Sequence, residues 1–68
     1  MRLYRFLTGP DDASFCHKVS AALNQGWELY GSPTYAFHEP TGRMHAGQAV
    51  IKHVEGKTYD PDVKLSEQ

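Results

Sequence analysis

Phe15-Cys16-His17-Lys18-Val19-Ser20-Ala21-Ala22-Leu23-Asn24-Gln25-Gly26-Trp27-Glu28-Leu29-Tyr30-Gly31 decides the fold of this 68-residue chain, because its apolar period changes at Gly26. Before the glycine, Phe15, Val19, Ala22 and Leu23 recur at i, i+4, i+7 and i+8. With Cys16 they fill an arc of about 120° on a helical wheel. That arc predicts an amphipathic helix over residues 12–25, with the stripe facing a core and Cys16 packed as a small buried hydrophobe. Gly26 supplies the left-handed conformation that closes such a helix. After it, Trp27, Leu29 and Gly31 alternate with Glu28, Tyr30 and Ser32, which is the period of a strand.

Working outward, Asp11 and Asp12 offer side-chain oxygens and negative charge to the first free N–H groups of the helix. Ahead of them, residues 3–7 read as a short first strand that breaks at Thr8-Gly9-Pro10. On the other side the extended pattern runs to Phe37, with an interruption near Ser32-Pro33. Pro33 places this second strand at a sheet edge, since it has no N–H to give to a ladder. Pro40-Thr41-Gly42 marks a turn, and residues 44–54 form a third strand with apolar residues on both faces. From Glu55 on there is no sustained period, and the segment reads as a loosely held polar tail.

These elements predict an α+β domain of βαββ type over residues 2–54, followed by the tail at 55–68. One helix packs on a three-stranded antiparallel sheet in the order 1-3-2, the crossover being right-handed. Gly26, Trp27, Leu29, Phe15, Val19 and Leu23 are its expected structural residues. A lone helix covers one face of such a sheet. The opposite face, bearing Leu, Tyr, Ile and Ala side chains, therefore calls for a second subunit, and a homo-oligomer is expected.

Composition narrows the partners. Seven basic against eight acidic side chains give a net charge of −1, so the chain as a whole has no attraction for phosphate backbones or anionic lipid. Neither nucleic acid nor a membrane is the expected partner. A hydrophobic content of 40 % is too high for a disordered chain. The one cysteine, Cys16, cannot form an intrachain disulfide and fits a reducing compartment. With no apolar run long enough to span a bilayer and no signal-like start, the expectation is a cytoplasmic protein.

The sequence resembles the bacterial family known as domain of unknown function 1737. The residues that carry the resemblance are Tyr4-Arg5, Thr8-Gly9-Pro10-Asp11-Asp12, Phe15-Cys16, Ala22-Leu23-Asn24, the run from Gly26 to Thr34, and Gly47-Gln48-Ala49-Val50 with Lys52. They occur in order and span almost the whole expected domain. The resemblance implies a compact domain of bacterial origin. It brings no catalytic motif, and the tail after Val54 lies outside it.

Few residues suggest chemistry. His38 and His45 flank the turn, and a register centred on Thr41-Gly42 would set them opposite each other beside Glu39. Two histidines make an incomplete metal site, so no metal and no cofactor is expected. Cys16 lacks an activating partner, because His17 projects about 100° away around the helix. Gly9-Pro10 is not a phosphate loop. Tyr30, Ser32, His45, Gln48 and His53 are the polar or amphipathic positions of the second and third strands, and they are the candidates for an interface or ligand site. Gly31 and Gly47 would mark bulges or close backbone approach. The leading reading is a non-catalytic homo-oligomeric accessory or interaction module. The rival is an enzyme or metabolite-binding protein whose small ligand sits in a pocket between subunits.

Overall fold

A computed structural model describes residues 1–68. Strand β1 spans Arg2–Pro10, helix α1 Ala13–Asn24, strand β2 Glu28–His38 and strand β3 Arg43–His53. The sheet is antiparallel with β3 in the middle, in the order β1-β3-β2. The chain is thus the α+β, βαββ domain that the sequence predicts. No helix is long and apolar enough to cross a membrane.

Local chemistry sets the helix ends. Asp12 is the N-cap, and its carboxylate accepts from the Ser14 backbone N–H at 2.8 Å and from the Ser14 hydroxyl. At the other end Gly26 has φ +94°, a conformation costly for a residue with a Cβ. It lets the Gly26 N–H reach the Leu23 carbonyl at 3.2 Å and the Trp27 N–H reach that of Ala22 at 3.1 Å. This paired closure satisfies two carbonyls of the last turn and aims Trp27 back under the helix.

The core is Leu3 and Leu7 of β1, Ala22 of α1, Trp27 and Val50 of β3, flanked by Phe15, Val19, Val54 and Leu65. No residue of β2 is buried. The helix therefore packs mainly over β1, and the helix side of β2 stays largely exposed. That placement corrects two expectations for the helical stripe. Cys16 is exposed and so is Leu23, because both lie on the flank of α1 that looks toward β2. Leu29, on β2 itself, is likewise exposed. Trp27 is buried between cations, with the Arg5 guanidinium 5.2 Å and the Lys52 ammonium 5.7 Å from its ring centroid.

β1 is longer than the sequence suggests. Pairing continues through Gly9↔Ala46 to Pro10↔His45, and an edge strand tolerates Pro10 because its outer side needs no donor. β2 is the other edge, as Pro33 predicts. Its pairing with β3 shifts between Tyr30↔Ala49 and Thr34↔Gly47, so Gly31, Ser32 and Pro33 form a bulge opposite Gln48. Beyond β3 the chain holds its start, with Val54 N–H to the Met1 carbonyl at 2.8 Å. The last residues include a 3₁₀ turn at Leu65–Glu67, from which Leu65 packs against the core.

Candidate functional site

Strand alternation and register divide the sheet into two faces. Leu3, Arg5, Leu7 and Gly9 of β1 share the helix side with Ala46, Gln48, Val50 and Lys52 of β3. The open side carries Tyr4, Phe6 and Thr8, then His45, Gly47, Ala49, Ile51 and His53, then Glu28, Tyr30, Thr34, Ala36 and His38 of β2. Tyr4, Phe6 and Tyr30 there are 56 %, 50 % and 57 % exposed, so neither the helix nor the C-terminal segment covers them. Tyr4 and Tyr30 flank Ile51 and, with Arg2, line a shallow hollow of about 300 Å³.

The middle of this face is shaped by Gly47. A Cβ there would lie 2.5 Å from Cζ of Phe6 and 2.6 Å from Oγ1 of Thr34, so the Phe6 ring rests directly on the β3 backbone. The absent side chain lets an aromatic ring approach the backbone at the sheet centre. Thr34 crosses from the other side and donates its hydroxyl to the Gly47 carbonyl at 3.4 Å.

The five candidates named from sequence do not form one cluster. Tyr30, His45 and His53 lie on the open face, whereas Ser32 is in the bulge of β2. Gln48 points to the helix side and is buried. Its Nε2 donates to the Ala49 carbonyl at 2.9 Å, the Tyr30 carbonyl at 3.3 Å and the Gly31 carbonyl at 3.4 Å. It ties the bulge to β3. Tyr4, Phe6 and Ile51, which sequence reading did not single out, complete the open face. The signal for them was register, since Tyr4↔Ile51 and Phe6↔Ala49 are cross-strand pairs that a single sequence does not align.

At the hairpin tip His38 pairs with Arg43, and His45 with Ala36. The turn is centred one residue earlier than the sequence reading put it. The two imidazoles are therefore diagonal neighbours rather than directly opposite, stacked with centroids 4.4 Å apart, and Thr41 Oγ1 lies 2.9 Å from His38 Nδ1. No group of three His, Cys, Asp or Glu side chains converges on a point that could hold a metal. On the helix side, Tyr35 donates to the Asp11 carboxylate at 2.5 Å, which raises the Tyr35 pKa above its ordinary value.

The fold and this surface define a small βαββ domain with an aromatic, helix-free sheet face. Residues 1–53 match the family described as Domain of unknown function (DUF1737), and the chain belongs to that family. No curated protein and no solved structure matches the chain.

Proposed function

We propose that this chain is a non-catalytic interaction module that acts as a homo-oligomer, with the open sheet face as the contact between copies. One observation carries the reading: Tyr4, Phe6 and Tyr30 are half-exposed on one face of a sheet whose opposite face packs the helix. Their exposed halves alone amount to about 300 Å² of mostly apolar surface, within the roughly 300–600 Å² of the largest apolar patch on a typical monomer, which is often functional. Packing two such faces at the usual sheet-to-sheet spacing of about 10 Å would dry them both. The Phe6 ring over Gly47 suits that contact, because it fills the space a side chain at residue 47 would take.

The same reading places the module in the cytoplasm of a bacterium, on the strength of its single cysteine and of the sequence family. The test puts charge on the face. In a Tyr4→Lys/Tyr30→Lys variant both residues stay solvent-accessible in a single chain, so the circular-dichroism spectrum is expected to be unchanged while association weakens at least tenfold. Undiminished association of a folded variant would remove the open face as the contact.

A further inference from the structure

The C-terminal segment, residues 55–68, follows the last strand and lies outside residues 1–53 that match the family. All but two of its residues are exposed. The exceptions are Leu65, which packs against the core cluster, and Gln68. The hydrogen bonds of the segment are its own. The Val63 N–H donates to the Asp60 carbonyl at 3.2 Å, the Asp62 N–H to the Asp60 carboxylate at 2.9 Å and the Glu67 N–H to the Lys64 carbonyl at 2.9 Å. Gln68 closes the loop, its Nε2 donating to the Val63 carbonyl at 2.8 Å and the Asp60 carbonyl at 3.3 Å. No hydrogen bond joins residues 55–68 to residues 1–54, and the one polar approach between them is His53 to Glu55 at 4.0 Å.

We infer that residues 57–68 are a strap, latched by Leu65 and pivoting at Gly56, that opens and closes as one unit while the βαββ domain stays folded. Three observations carry the inference. The core residues Leu3, Leu7, Ala22, Trp27 and Val50 all precede the strap, so helix and sheet keep their core when Leu65 leaves. Next, the turn bonds of a short exposed loop contribute little net in water and do not order it unaided. They last only while Leu65 is seated, which makes latch and bonds one cooperative unit. Last, the closed form is lightly held. A single partly buried leucine must offset the ordering of the strap, and Gln68 Oε1 is buried there without a partner. Gly56 stands at φ +72°, a conformation glycine takes freely, and nothing lies within 4 Å of where its Cβ would be, so the chain is free to swing at that point.

Opening bares the part of the core that Leu65 covers and leaves Tyr4, Phe6 and Tyr30 as they were, because the strap does not cover them. The strap is therefore independent of any contact between open faces. It controls access to a second apolar spot, which the closed chain fills with its own leucine.

Native-state hydrogen exchange on the full chain tests the strap. The Val63, Glu67 and Gln68 amides are each bonded inside it. They are expected to share one protection factor, roughly tenfold or more below that of the amides of β3. Their exchange should depend little on denaturant, whereas β3 should follow the steep dependence of global unfolding. Leu65→Ala is expected to lower the shared factor by about fivefold or more, toward that of an unprotected peptide. Gly56→Ala, which disfavours the closed backbone without touching the latch, should lower it too. Strap amides with the protection and denaturant slope of β3 would make the segment part of one folding unit and overturn the inference. Strap amides indifferent to Leu65→Ala would overturn it as well, since Leu65 would then not be the latch.

Discussion

The ring of Phe6 lies so close over Gly47 that a Cβ at residue 47 would stand 2.5 Å from its Cζ atom. A methyl there must displace either the ring or Thr34, whose Oγ1 is equally near at 2.6 Å. Gly47→Ala is therefore expected to destabilise the fold by about 1–3 kcal/mol, the usual cost of forcing a methyl into a close contact. Removing the ring should return part of that loss. In denaturant melts, Gly47→Ala should cost less in a Phe6→Leu background than in the native one, and equal costs would show that Phe6 is not the obstacle.

Gln48 holds the bulge of β2 through three backbone carbonyls while itself buried. Gln48→Leu keeps the bulk and leaves carbonyls of Tyr30 and Gly31 without this donor. The expected loss is about 1–3 kcal/mol by chemical denaturation. A change below about 0.5 kcal/mol would show that water serves those carbonyls equally well.

Tyr35 donates to the Asp11 carboxylate, and its pKa is raised by that bond first, with desolvation adding to it. A folded-state value above the unfolded one means that the contribution to stability is complete below the ordinary tyrosine range near pH 10 and is lost as pH rises through the raised value. Tyrosinate absorbance in an alkaline titration should therefore lose a late component in Tyr35→Phe. Superimposable late limbs would contradict the bond.

Asp12 behaves in the opposite sense. Hydrogen bonds from the Ser14 hydroxyl and the Ser14 backbone N–H hold its carboxyl below the ordinary value. The cap's contribution is present above that ordinary value and fades as pH falls through the folded one. Asp12→Ala should lower Tm by about 5 °C at neutral pH, where the cap carboxylate is charged. The gap should narrow in strong acid. A gap that stays constant with pH would show that the charge contributes nothing.

The order of elements and both helix ends were legible in the sequence because each rests on local chemistry: Asp12 as a cap, Gly26 as a stop, Pro33 as an edge mark. What was not legible depended on where α1 sits across the sheet. The stripe on α1 is wide enough to cover either β1 or β2, and periodicity cannot say which, so Cys16 and Leu23 read as core although both are exposed. Gln48 read as a ligand candidate because its helix-side orientation follows from strand register, and register is fixed by pairing with distant residues. The same limit hid the contact of Phe6 with Gly47. His38 and His45 were placed on one face correctly, yet one pair out of step, because the turn closes on His38 and Arg43.

If copies of this chain meet through the open face, sedimentation velocity over roughly 1–100 μM will show it. The mass is expected to rise to a whole-number multiple of 7.7 kDa within that range, and to fall toward 7.7 kDa when Tyr4 and Tyr30 are both lysine. A chain that sediments as a single 7.7 kDa species at the highest concentration would contradict it.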